Sequence, residues 1–407
     1  MLHNGRILTY FKPGCGQSRL LWRYNPPMDK HLLGGIGTTR FLREYWQKKP
    51  LLIRNAVPAF AGLINPDALI ELSCADGVQA RLLIRQKKHG WELQRGPFSR
   101  AEFKRIGKLP WTLLVQELNH HLDAAETLLA RFNFIPHARL DDLMVSYAVD
   151  GGGVGPHFDS YDVFLLQGMG QRLWQVSAQD NLELVPDAPL KILRHFEMEQ
   201  EWLLNPGDML YLPPHYAHNG VAVGECMTYS IGFRAPSVQE IATQFLVYLQ
   251  DRIELTGMYQ DPDLRLQRHP AQISDAMLDQ VEALLVQIHW DRSGVADFLG
   301  RYLTEPKPHL FFDPPATPLS KSVFGRRARQ SGVRLAAQSQ LLFRRERFFL
   351  NGESFKNKSN QTDMQNLANT RRLISAEVTA GILPQLYEFY LDGFLLLGVE
   401  GVKNSQT

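Results

Sequence analysis

The sequence predicts an α+β protein built around a double-stranded β-helix, a small antiparallel barrel, with flanking helices before it and a smaller α+β unit after it. Three observations carry that expectation. Two histidine-bearing strand modules, 151–176 and 205–220, each follow a Gly/Pro turn, G-G-G-V-G-P in one and N-P-G-D in the other. Past Pro236 the apolar pattern changes from strand to helix periodicity. The Pro-rich stretch P-K-P-H-L-F-F-D-P-P-A-T-P (306–318) then divides the chain from a basic C-terminal segment.

Composition narrows the class. At 407 residues the chain has room for two or three cores, and 44% hydrophobic with 21% charged residues is ordinary for a soluble globular protein. A net charge of +2 implies no whole-chain attraction to nucleic acid or membrane. The three cysteines, Cys15, Cys74 and Cys226, have no zinc-ligand spacing, and their odd number argues for a reducing compartment, the cytoplasm. No apolar run approaches the ~20 residues of a membrane span.

Residues 1–28 carry Arg6, Lys12, Arg19 and Arg23 with no acid before Asp29. They read as a disordered extension, either a transit segment or the product of a start placed ahead of Met28. From Thr39, Phe41, Leu42, Tyr45 and Trp46 fall at helical spacing; Pro50 stops that helix and L-L-I-R-N-A follows as a strand. P-D-A-L-I-E-L-S (66–73) is a helix with Pro66 near its start. A-R-L-L-I-R-Q and W-E-L-Q-R-G-P-F are strands around a K-K-H-G turn, and 111–129 is expected to be one long helix. The strand 139–150 places Asp142, Met144 and Ser146 on one face.

The chemistry concentrates between His157 and His218. His157 and Asp159, two apart at the head of an expected strand, share a face, and Phe158 takes the other. His218 lies just past the corner L-P-P-H-Y-A-H. Two imidazoles and a carboxylate are the ligand set of a facial triad, which leaves three adjacent positions open on non-haem Fe(II). Gly168-Met169-Gly170 reads as a tight hairpin that returns the chain toward Arg172.

The runs F-L-R-E-Y-W-Q-K-K-P-L-L-I-R, D-D-L-M-V-S-Y-A, G-G-G-V-G-P-H-F-D-S-Y-D-V-F, L-Y-L-P-P-H-Y-A-H and Y-S-I-G-F-R-A-P resemble, in order over about 35–300, the bacterial ribosomal oxygenase branch of the JmjC proteins. That resemblance implies a cupin-fold Fe(II)/2-oxoglutarate hydroxylase acting on an arginine of the sixteenth large-subunit ribosomal protein. It implies His157, Asp159 and His218 as iron ligands, Arg172 on the far carboxylate of 2-oxoglutarate, and Ser146 lining the same pocket. His215, where relatives often carry glycine, is a departure and a rival third ligand. A guanidinium substrate calls for a carboxylate and an aromatic face. Asp142 shares the strand face of Ser146, and Tyr161 that of His157 and Asp159, so these two are the candidate substrate residues.

The expected division is therefore a catalytic domain with its flanking elements over 29–236, a helical region over 237–305, a linker over 306–318 and a winged-helix-like domain over 319–407. Helices at 237–253, 273–288 and 293–303 fill the second part, which the resembled family uses to dimerise. In the last, 334–346 and 366–375 read as helix-bearing or helix-edge segments, and R-F-F-L-N-G-E as a strand with an N-G turn. Between Leu319 and Arg372, 12 Lys or Arg stand against 3 Asp or Glu, a net of +9, which in a winged helix points to nucleic acid or an acidic partner. Other readings of the catalytic domain are hydroxylation of a histidine, N-methyl-lysine demethylation, or a non-oxidative metal cupin. The last usually shows H-x-H with a later Glu, whereas Asp159 stands at the second position here.

Overall fold

A computed structural model describes residues 31–86 and 90–398. The extension expected over 1–28 and most of the K-K-H-G turn lie outside them. Helix α1 (Thr38–Glu44) leads to strand β1 (Leu51–Ile53), and α2 (Pro66–Ser73) starts on an Asn65 side chain that accepts the amide of Ala68. Strands β2 (Ala80–Gln86) and β3 (Gly90–Arg95) pair antiparallel. Helix α3 (Arg100–Ile106), which periodicity did not reveal, is started by a Ser99–Glu102 capping box.

The long helix expected over 111–129 is not formed. Its first residues are strand β4 (Trp111–Val115), and helix appears only later, as a single 3-10 turn at Leu118–His120 and then α4 (Asp123–Ala130). Every residue of β4 is buried and the strand lies between β2 and β5, so its continuous apolar run reflects two covered faces and not a helix stripe. Glu117, in the left-handed conformation with φ 56°, separates the two pieces.

Strand β5 (Leu140–Ala148), β6 (Val163–Ser177), β7 (Gln200–Leu204), β8 (Met209–Leu212) and β9 (Ala217–Phe233) complete a nine-stranded sheet. Its order is β1-β8-β6-β9-β5-β4-β2-β3, with β7 also paired to β6. The spine is the antiparallel pair β6–β9, in register from Val163 opposite Gly232 to Ser177 opposite Ala217. Gly168-Met169-Gly170 is not a hairpin: β6 runs straight through it, with register shifts on either side of Met169. Turns and bulges ask for the same residue. A Cβ on Gly168 would come within 2.3 Å of the Tyr229 ring, and one on Gly170 (φ +60°) within 1.9 Å of the Glu225 carbonyl oxygen.

Alternation along β6 sorts the core. Phe164 and Leu166 join Phe41, Phe132, Tyr211 and Phe233 in the large cluster under the helices. Val163 and Leu165 face the barrel interior with Trp174, Val176, Leu204, Leu210 and Leu212.

Helices α5 (Val238–Gln250), α6 (Asp275–Leu285) and α7 (Arg292–Thr304) follow, each started by a side chain at its N-cap, from Ser237, Ser274 and Asp291. These helices and the connections between them leave much apolar surface uncovered, with Val238 85%, Leu266 103% and Val286 74% exposed. No helix among the described residues is long and apolar enough to cross a membrane.

A second core follows, around Phe324, Phe348, Leu367 and Leu386. It is built from α8 (Lys321–Ser331), β10 (Val333–Leu335), β11 (Leu341–Arg344), β12 (Arg347–Leu350), β13 (Glu353–Lys356), α9 (Gln361–Thr370), β14 (Arg372–Leu373), α10 (Leu383–Leu391) and β15 (Leu395–Leu397). The strands form two three-stranded sheets, β14-β10-β15 and β11-β12-β13. Residues 334–346, expected to be helix-bearing or helix-edge, hold most of β10 and all of β11 instead; Leu335 and Leu341 enter this core, while Phe343 stays exposed. Part of the basic excess here is matched by acids from earlier in the chain. Arg334 meets Asp123 at 3.2 Å, Arg371 meets Glu126 at 2.6 Å, and Arg347 meets Asp297 of α7 at 2.6 Å.

Candidate metal and cosubstrate site

The residues of the expected triad come together, by a route other than strand parity. His157 and Asp159 precede β6, in an irregular segment that makes one isolated bridge, between His157 and His218 of β9. Each amide donates to the other's carbonyl, at 2.9 and 2.8 Å, which clamps the approach loop to β9. One donor atom from each of His157, Asp159 and His218 lies within 4.8 Å of the others. The imidazole centroids are 4.2 Å apart, and Nε2 of His218 is 3.7 Å from Oδ2 of Asp159.

Tautomers follow from the backbone. Nδ1 of His157 is 2.9 Å from the Gly155 carbonyl, and Nδ1 of His218 is 2.9 Å from that of Tyr216. A carbonyl only accepts, so each Nδ1 carries the proton and each Nε2 keeps a lone pair for a metal. Burial, with His157 close by, pulls His218 down to about 4, so it is neutral at physiological pH and ready to ligate. His215, the rival ligand, is exposed, has φ 66°, and lays its ring 5.8 Å from that of Phe158; it is not in the cluster.

Along β6 the interior side chains lead away from the triad. Trp174 lies 5.9 Å from the His218 ring, and the Arg172 guanidinium 5.7 Å from the Trp174 ring. Arg172 is 4% exposed. It donates through Nη1 to Ser146 Oγ at 3.2 Å and through Nε to Cys226 Sγ at 3.4 Å, while Nη2 is buried with no partner. Among the described residues no carboxylate pairs with it. A buried guanidinium whose side-chain hydrogen bonds go only to a hydroxyl and a thiol suits an anion from outside the chain. The indole Nε1 of Trp174 is likewise buried without a partner. Sequence reasoning passed over Trp174, although its parity with Arg172 placed it in the same pocket. Two imidazoles and one carboxylate at one end and an unpaired cation at the other suit a metal with a chelating dicarboxylate.

Asp142 and Tyr161 also meet. A Cβ on Gly232 would come within 3.6 Å of Asp142 Oδ1 and 4.0 Å of the Tyr161 ring. Asp142 is 7% exposed, and burial with the neighbouring Asp141 pushes it up to about 6. Its Oδ2 accepts the amide of Glu117 at 2.9 Å. Tyr161 keeps part of its ring exposed, while burial of the hydroxyl and the charge of Asp159 push that group up. Arg81, in register with Leu114 and through it with Ser146, adds an Nε buried without a partner, a residue sequence reasoning also missed.

Comparison with known proteins agrees with this geometry. The JmjC domain family matches residues 127–241, and the ROXA-like winged helix family matches 287–395. The chain is 35% identical over 280 residues to the ribosomal protein uL16 3-hydroxylase of Escherichia coli (strain K12), covering 68% of this chain and 74% of that one. It is 40% identical over 229 residues to a probable ribosomal oxygenase of Haemophilus influenzae, covering 56% of this chain and about half of that relative (54%). The X-ray structure of E. coli ycfD superposes with a TM-score of 0.78 at 29% identity, over 89% of this chain and 98% of that one. The E. coli ribosomal oxygenase YcfD in complex with cobalt and 2-oxoglutarate does so with 0.77 at 30% identity, over 90% and 99%.

Proposed function

Because the chain belongs to the bacterial ribosomal oxygenases, which join a JmjC domain to a ROXA-like winged helix, we propose that it is a 2-oxoglutarate-dependent oxygenase that hydroxylates an arginine of ribosomal protein uL16. The observation that carries this reading is the buried, unpaired Nη2 of Arg172 on the interior face that also presents His218. His157, Asp159 and His218 would hold Fe(II). With 2-oxoglutarate that metal supplies the activation of dioxygen, whose atoms pass to succinate and to the substrate hydroxyl as carbon dioxide leaves.

The chain's own groups do the aiming. Arg172 takes the distal carboxylate through Nη2 while Ser146 and Cys226 hold the other face of its guanidinium. The fork geometry fixes direction, and charge-assisted hydrogen bonds of this kind are worth ~1.5–3 kcal/mol each. Trp174 fills the gap between Arg172 and His218 and keeps bulk water from it. Asp142 and Tyr161 hold the substrate guanidinium by charge and by ring face.

Asp142 provides the test of the substrate assignment. Asp142→Ala is expected to cost about 3–5 kcal/mol of peptide recognition, since it leaves a buried guanidinium without its counter-charge. Affinity for 2-oxoglutarate should stay as it was. The carboxylate must be ionised to act and its value is near 6, so peptide KM should rise as pH falls from 7 toward 5. Intact mass of an arginine-bearing uL16 peptide (+16 for each hydroxylation) reads both; unchanged arginine hydroxylation by Asp142→Ala, or preference for a histidine peptide, refutes the pocket.

The helical region, over 237–305, is proposed to pair two copies, supported by the exposed apolar residues Val238, Leu246, Leu266, Ile273, Leu285 and Val286. Light scattering should give twice the chain mass, and Leu246→Glu with Leu285→Glu should halve it; a wild-type monomer would refute the pairing. The linker is assigned to 306–318 and the winged helix to the residues from 319 on.

A further inference from the structure

Between α7 and the winged helix, residues 306–318 carry two side chains that reach back 190 positions into the catalytic domain. Lys307 Nζ lies 2.9 Å from Glu117 Oε1 and 3.0 Å from Asp141 Oδ1, and His309 Nε2 lies 2.8 Å from Glu117 Oε2. Glu117 is itself 5% exposed and lies in the left-handed region, at φ 56° and ψ 36°. A non-glycine residue there costs roughly 1–3 kcal/mol and persists only where its surroundings hold it. What this conformation achieves is visible on the other side of the residue, where its amide donates to Asp142 Oδ2 at 2.9 Å. One oxygen of Asp142 is thereby occupied, and Oδ1 is left beside Gly232 and Tyr161.

We infer that Lys307 and His309 are positioning residues for substrate recognition: by anchoring the Glu117 carboxylate they hold its amide on Asp142 and so aim the free oxygen of Asp142 into the pocket. This rests on the reading of Asp142 as the substrate carboxylate. The anchor is strong. Burial alone would raise Glu117, yet His120, His309 and Lys307 together hold it well below the usual carboxylate range. Burial would lower Lys307, yet Asp141 and Glu117 leave it above the ordinary lysine value. Without Lys307 a buried carboxylate loses its closest cation, and Glu117 relaxes toward solvent by leaving the left-handed region. That rotation takes its N–H off Asp142. The segment is also tied at its far end: Phe312 packs 4.7 Å from Phe394, between the winged helix's last helix and strand. The strap that joins the domains is therefore part of the wall behind the substrate pocket.

The test compares peptide and cosubstrate dependence in the full-length protein loaded with Fe(II). Lys307→Met should raise KM for the arginine peptide about three- to tenfold, which is ~0.65–1.4 kcal/mol and within the range of an indirect coupling. Its kcat, its KM for 2-oxoglutarate and its peptide-free turnover to succinate should stay within about twofold of wild type. Lys307→Arg, which keeps the charge, should restore most of the peptide KM. In an Asp142→Ala background Lys307→Met should change nothing further. If Lys307→Met does not fold, judged by its thermal midpoint, His309→Phe takes its place with the same expected pattern. A wild-type peptide KM in a folded Lys307→Met, an equal rise in the KM for 2-oxoglutarate, or a full additional loss on top of Asp142→Ala each overturns the inference while the Asp142 reading stands. A wild-type peptide KM in Asp142→Ala alone removes the premise and the inference with it.

Discussion

Removing the His218 imidazole abolishes metal binding, and with it succinate formation, while removing the His215 imidazole three residues earlier leaves both intact: that is the expected result for the pair His218→Ala and His215→Ala. Loss of an outer partner of a metal ligand already costs ~10–100-fold in affinity or activity, and loss of a ligand costs more. His218 is 3% exposed, carries its proton on Nδ1 and faces Asp159 and His157. His215 is on the surface against Phe158, where substitutions usually stay within about 0.5 kcal/mol. Co(II) absorption titrations, read together with succinate release, separate the two. Retained Co(II) affinity in His218→Ala, or its loss in His215→Ala, would reverse the assignment.

Arg172→Met is expected to separate binding from stability. Truncating one partner of a buried hydrogen-bonded charge pair costs ~2–5 kcal/mol, so KM for 2-oxoglutarate should rise about thirtyfold or more. The cosubstrate-free protein should behave in the opposite way. Among the described residues its guanidinium is a buried cation with no acid paired to it and one nitrogen without a partner, so an apolar chain of similar length should leave the thermal midpoint unchanged or higher. Arg172→Lys should fall between, because charge survives while the contacts to Ser146, to Cys226 and to the ligand cannot all be made by one ammonium. Unchanged dependence on 2-oxoglutarate in Arg172→Met would falsify the cosubstrate assignment.

How much of this was legible depends on whether a pattern is local. H-x-D followed by L-P-P-H-Y-A-H could be read because each module brings its own turn and the β6–β9 ladder brings the modules together. Parity is not what brings His157 and Asp159 together, because their segment is irregular; the two-way amide clamp seats His157 on His218, and Asp159 comes with it two residues on. The run W-T-L-L-V misled because five apolar residues fit a buried helix turn and a doubly covered strand equally. Gly168 and Gly170 misled because a hairpin and a bulge need the same freedom, and only the ring of Tyr229 and the carbonyl of Glu225 tell them apart. The tie from Lys307 to Glu117 leaves no trace in any window of sequence. The expected basic face was a sound count, yet Arg334, Arg347 and Arg371 meet carboxylates of the same chain.

The two halves of the metal cluster stand on supports of different stiffness. His218 is the second residue of β9, the long strand paired with β6, although its own amide bonds to His157. His157 and Asp159 sit on an irregular glycine-rich approach held by separate contacts: the bridge to His218, bonds between Gly151, Gly152 and Ala222, and single bonds from Leu193 to Pro156 and from His215 to Asp159. A local opening of those contacts is expected to separate the two halves while β6 and β9 stay paired, which hydrogen exchange at the His157 and Gly151 amides would read. Loss of a bound metal is then expected to begin on the His157–Asp159 side, with β9 still folded.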